Sequence, residues 1–171
     1  HIINCLINNA GIRQRKKFSD ISNENLQNIF ESNFFSIFRI TQKFFKEFRL
    51  KKNMGSIINI SSIVGNLGFN ELSGYASTKA AIDGLTKSLS IEFSKKGIRV
   101  NSIAPGFVKS SYFKSFQKER SSLYKWTLSR IPLNKWGENL DVANLALFLL
   151  SENSKYINGQ VIKIDGGWTA S

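Results

Sequence analysis

Cysteine, proline and histidine are almost missing from this chain: its 171 residues include one, two and one of them respectively. The lone thiol, Cys5, excludes an internal disulfide and suits a reducing compartment. Set mid-run in IINCLI, it reads as a small buried hydrophobe and not as a nucleophile. No zinc-type spacing of Cys and His occurs, so no metal is expected. Long apolar runs are also lacking. IINCLI and SIINI are strand-sized, well short of the roughly 18 to 20 residues of a membrane span. The opening HIINCLINNAG carries no basic region and no small-residue cleavage site, so a secretory signal is not expected and a cytoplasmic location without a membrane partner is.

Acidic residues are scarce, 12 against 24 Lys and Arg, for a net charge of +12 and a pI near 10.0. Such a balance invites a nucleic-acid partner. The basic residues are mostly lysines scattered along helix faces, and the longest clusters, RQRKK and RLKK, are short. Heavy use of Asn, Ile and Phe points to a compositional bias, and the charge is read as solvated helix surface with no nucleic acid bound.

What is present is a globular composition, 42% hydrophobic and 12% aromatic, in a length that suits one domain. Residues 2–8 form an apolar run ended by NAG, as in a buried parallel strand and its loop. Apolar residues from Leu26 to Phe48 recur at helical spacing, predicting a short helix leading into a long one. GSIINIS at 55–61 is a second strand, and a helix follows from about 73 to 95, stopped by KKG. IRVNSIA at 98–104 is a third strand, broken by Pro105-Gly106. Residues 109–129 are amphipathic but irregular. Asn139 or Asp141 is placed as the cap of a helix reaching Leu150, and GQVIKIDGG closes with a fourth strand. Strands alternating with helices imply an α/β, doubly wound parallel sheet, whose ligand crevice lies beyond the carboxyl ends of the strands. Asn8–Gly11, Ser61-Ser62, Pro105-Gly106 and Asp165–Gly167 all fall at that edge.

One short stretch there, GYASTKA at 74–80, puts a phenol and an ammonium four residues apart, hence on one face of a helix. Alone it reads equally as a solvated pair. In company it does not: NNAG at 8–11, Asn33 within ESNFFSIF, INISS at 58–62, YASTK at 75–79, NSIAPGFV at 101–108 and GQVIKIDGG stand in order, with Ser62 thirteen residues before Tyr75. In this the chain resembles the short-chain dehydrogenase/reductase superfamily, classical type, over nearly all its length. The final stretch from Ile131 resembles the branch holding 3-oxoacyl-thioester reductases and sugar or polyol dehydrogenases.

The resemblance implies an NAD(P)-dependent oxidoreductase interconverting a ketone and a secondary alcohol on a small-molecule substrate. It makes Tyr75 the general acid/base, its pKa lowered by Lys79, which also bonds the nicotinamide ribose. Ser62 holds the substrate oxygen, and Asn33 helps hold a water relaying protons from Lys79. Asn8, Ala10, Gly11, Pro105, Gly106, Val108 and Ser110, with Tyr75 and Lys79, make up the cofactor side. Ser110 replaces the threonine usual at its place and keeps the hydroxyl. Residues Lys109 to Arg130 correspond to a specificity lid, and Tyr112, Phe113, Phe116, Tyr124 and Trp126 suggest a partly apolar pocket. A homodimer or homotetramer is implied through the long helices.

The family's glycine-rich pyrophosphate turn, TGxxxGxG, should precede NNAG, yet only seven residues do. The chain, which does not open on methionine, therefore reads as an N-terminally truncated fragment, inactive alone, with the residue that separates NAD from NADP in the lost part. The competing reading is a non-catalytic binding or oligomerisation module on the same fold, which Asn33, Ser62, Tyr75 and Lys79 together argue against.

Overall fold

The computed structural model describes residues 3–47, 55–110 and 113–170. Four strands, β1 (Cys5–Asn8), β2 (Gly55–Ile60), β3 (Ile98–Pro105) and β4 (Val161–Ile164), pair in parallel in the order β1-β2-β3-β4. Neighbouring residues of β2 explain the layering. Ile57 and Ile58 are both fully buried, yet point to opposite faces as the strand period demands. Ile57 packs with Val100 under Phe93 and the flanking Phe44 and Phe45, whereas Ile58 packs with Ile103 under Ala146 and Leu149. Helices therefore cover both faces, the arrangement a parallel sheet needs to bury two apolar sides.

The first helix begins at Ser22, whose Oγ accepts from Asn25 N at 3.1 Å, and runs over Asn23–Phe30 (α1). It continues unbroken to α2 (Ser36–Glu47), but Glu31–Phe35 is a π-helical turn. The periodicity reading found the helices and not this wider turn. The predicted stop beyond Glu47 lies outside the described residues. Helix α3 (Ser73–Ser94) ends as expected at Gly97, whose φ of +68° is the left-handed geometry glycine accepts readily.

Beyond β3, the irregular stretch resolves into α4 (Phe113–Glu119) and α5 (Ser121–Arg130). Helix α6 (Asn139–Leu150) starts at Asn139, but Glu138 takes the cap position. Asp141 reaches back to accept from Glu138 N at 2.7 Å, so of the two expected cap residues the aspartate closes the turn. Strand β1 has one neighbour among the described residues, and Ile3 just before it and Ile7 within it are 71% and 47% exposed.

Candidate active site

The π-helical turn sets Asn33. One extra residue in a helical turn rotates a side chain off the surface, and Asn33 is fully buried. Its Oδ1 accepts from Ile12 N at 2.7 Å, and its Nδ2 donates to Ile12 O at 2.9 Å and to Thr78 Oγ1 at 3.2 Å. One amide thus ties the loop after β1 to the turn of α3 just before Lys79.

Lys79 is 5% exposed and donates from Nζ to the Ile60 carbonyl at 2.8 Å, bridging α3 to the end of β2. Burial lowers its pKa to about 8, partly offset by the Asp83 carboxylate one turn on. Asp83 is itself pushed up by burial and accepts from Asn66 Nδ2 at 3.0 Å and Ser102 Oγ at 3.4 Å. A Cβ on Gly11 would stand 3.1 Å from Asn33 Oδ1 and 3.8 Å from Lys79 Nζ. The glycine therefore leaves open the space between these two groups.

Ser62 and Tyr75 line one cavity of about 100 Å³, with Gly106, Phe107 and Arg13. The Ser62 hydroxyl lies near enough to the phenol to favour its ionised form. Lys79 Nζ lies 5.6 Å from the centroid of the Tyr75 ring, so the pair does share one helix face. The electrostatics differ from the expectation of a lowered phenol. Burial is the largest effect and raises the Tyr75 pKa; the charge that opposes it is Arg13's, followed by the influence of the Ser62 hydroxyl. Lys79 directs one of its donors to the Ile60 carbonyl, and burial makes its own protonation less favourable.

The expected cofactor residues divide. Asn8 is buried, and its Nδ2 donates to Thr41 Oγ1 at 3.0 Å and Asn59 Oδ1 at 2.8 Å. Its amide is thus a tie between α2, β1 and β2, a structural use that the motif conceals. Ala10 and Gly11 are exposed at the sheet edge. Pro105 ends β3; Gly106 packs so tightly that a Cβ would come within 2.8 Å of Asp165 Cβ. Val108 bridges to Gly137 in parallel. Ser110 lies further out, on a cleft of about 470 Å³ with Phe116, Arg13, Arg15 and Arg120.

Most of the lid aromatics pack inward. Phe113, Phe116 and Tyr124 surround Trp136 at centroid distances of 5.1, 5.2 and 5.4 Å, while Trp126 is 47% exposed against Trp168. Tyr112 and His1 lie outside the described residues. Sequence reasoning missed Arg13 and Arg15, taken as solvated charge in RQRKK. Their nearness to NNAG, at the strand ends, was the available signal.

A Tyr-Lys face at the carboxyl edge of a parallel sheet, its lysine buried and its tyrosine half-buried, with a serine hydroxyl lining the same cavity, can deliver a proton to an oxygen held beside it. A family model described as enoyl-(acyl carrier protein) reductase matches residues 1–169. The chain belongs to the short-chain dehydrogenase/reductase family. It is 39% identical over 166 residues to the 2-dehydro-3-deoxy-D-gluconate 5-dehydrogenase of Bacillus subtilis, covering 97% of this chain and 65% of that protein. It is 36% identical to the 3-oxoacyl-[acyl-carrier-protein] reductase of Staphylococcus aureus, covering 96% and 65%. The crystal structure of a gluconate 5-dehydrogenase from Burkholderia cenocepacia in complex with NADP and tartrate superposes with a TM-score of 0.90 at 28% identity, over 99% of this chain and 66% of that one. The chain thus spans about 65% of the length of the curated relatives it matches.

Proposed function

We propose that the protein carrying this chain interconverts a ketone and a secondary alcohol by NAD(P)-dependent hydride transfer, with Tyr75 as general acid/base. The observation that supports this best is the joint lining of one cavity by Ser62 and Tyr75, with Lys79 on the same helix face. When bound, the nicotinamide supplies or accepts the hydride.

The residues present fit such a group. Gly11 leaves room beside Lys79 Nζ, and the ammonium carries three donors, of which the Ile60 carbonyl takes one. Lys79 would hold the ribose, with Ala10, Gly11, Pro105, Gly106 and Val108 forming the wall around it. Ser62 holds the substrate oxygen and orients the Tyr75 hydroxyl toward it. A phenol raised by burial is kept protonated, and so poised to donate to the oxygen of a ketone as charge develops there. Asn33 keeps the loop and α3 in register behind them.

Its named relatives act on a sugar acid and on an acyl-carrier thioester, so the substrate is a small or acyl-chain carbonyl compound. NAD and NADP remain alternatives. Taken alone, these 171 residues neither hold the dinucleotide tightly nor turn over, because no TGxxxGxG turn is among them. The exposed Phe35, Phe38 and Ile40 of the first long helix suit a subunit contact, in a homodimer or homotetramer. No described helix is long and apolar enough to cross a membrane, and a cytoplasmic location follows the family reading.

The test is Y75F in the full-length protein. Its kcat falls by about 10²- to 10⁴-fold, with little change in the KM for substrate. Unchanged turnover would dispose of the acid role.

A further inference from the structure

The chain is lysine-rich, with 17 Lys to 7 Arg, yet the cleft outside the Ser62–Tyr75 cavity inverts that preference. Three arginines, Arg13, Arg15 and Arg120, line it together with Ser110 and Phe116, and no lysine or carboxylate does among the described residues. They come from two separate segments: the loop after β1 supplies Arg13 and Arg15, and the end of α4 supplies Arg120. Arg13 also lines the cavity of Ser62 and Tyr75, so the two spaces share a wall. Arg15 is tied to Glu71 at 3.5 Å, which partly neutralises it.

A guanidinium differs from an ammonium in being a planar fork that matches a carboxylate with two parallel hydrogen bonds. Arginine used three times where lysine is the general currency of the surface is therefore a chemical choice. Phe116, 4% exposed, gives the cleft an apolar floor, and about 470 Å³ is ample for a short carbon chain.

We infer that the substrate is an oxo acid whose carboxylate is held by Arg13 and Arg120 while its carbonyl lies on Ser62 and Tyr75. This rests on the oxidoreductase reading and narrows its substrate class to anions. Arg13 is then a specificity residue, fixing the distance between the reacting carbon and the acid group.

The experiment uses the full-length protein with either nicotinamide cofactor. Levulinate and its longer homologues are each compared with their methyl esters, which keep the ketone and lose the charge. In the best pair the acid exceeds its ester in kcat/KM by about 10- to 100-fold. R120Q removes most of that ratio through the KM of the acid and leaves the ester unaffected; R13Q lowers the ratio as well while also altering the turnover of both substrates through Tyr75, and R13K restores part of it. Esters reduced as fast as the acids, or variants that slow both alike, overturn the inference while leaving the oxidoreductase reading intact. Calorimetric titration with levulinate needs no turnover. Binding lost in R13Q with no reduction of any ketone retains the anion site and sinks the oxidoreductase reading. No binding by the unaltered protein sinks the anion site itself.

Discussion

The ledge made by the ends of β1–β3 with α3, and the stretch expected as a lid, Lys109 to Arg130 with its flanking Phe107 and Trp136, are held by different forces in the described residues. On the ledge the ties are directional and buried. Thr41, Asn8, Asn59 and Thr86 form a chain of side-chain hydrogen bonds at 3.0, 2.8 and 2.9 Å, running from α2 across two strands to α3. Asn33 and Lys79 add further bonds to the loop after β1 and to β2. The lid is mainly stacked rings. Phe107, Phe113, Phe116 and Tyr124 crowd Trp136, whose Nε1 donation to Thr127 Oγ1 at 2.8 Å is its principal directional tie. Buried hydrogen bonds place atoms to within tenths of an ångström and penalise any loss. Ring packing tolerates rearrangement at similar volume. The ledge is therefore the more rigidly placed of the two, and the ring cluster the more tolerant of substitution.

The difference is open to direct test in the full-length protein. N33A has the largest effect, a loss of about 2–4 kcal/mol by denaturant unfolding, because it strips both backbone groups of Ile12 and the Thr78 hydroxyl of a buried partner. A cost below that of an ordinary surface change would show that the ledge is not held by this amide.

Lys79 gives a comparable but pH-dependent effect. Its folded pKa of about 8 lies below the ordinary 10.5, so between those values the unfolded chain binds the extra proton. Stability relative to K79M therefore rises by up to about 3 kcal/mol as pH increases from 8 to 10.5, and is level below 8. Thermal unfolding of the two proteins across that range measures it. A flat difference would mean that the ammonium is not desolvated.

W136F has the smallest effect, about 1 kcal/mol for the lost bond to Thr127, with the stacked rings retained. The preference among substrates shifts in this variant, and the pH profile of kcat does not. A W136F cost equal to that of N33A would erase the contrast between the two regions.

Much of this architecture was readable beforehand. GSIINI and IRVNSIAP announce themselves as strands because parallel strands are apolar on both faces, and α3 stops where KKG predicts. The order of Asn33, Ser62, Tyr75 and Lys79 was likewise on the surface of the sequence. Three things were not. The π-helical turn at Glu31–Phe35 leaves no trace in the spacing of apolar residues, because i to i+5 bonding is selected by what Asn33 meets inside. Asn8 looks like a ligand residue until Thr41 and Asn59, 33 and 51 positions away, claim its amide. RQRKK looks like surface charge until α4 brings Arg120 opposite it.

Linear pattern alone was enough to establish the strand and helix succession, the family, and the phenol–ammonium pair on one helical face, because these follow from periods and contacts a few residues long. Which groups act on the phenol came from folding. Burial and a guanidinium 62 positions upstream outweigh the lysine one turn away, since desolvation and charge act through space and the chain's own order does not record who its neighbours will be.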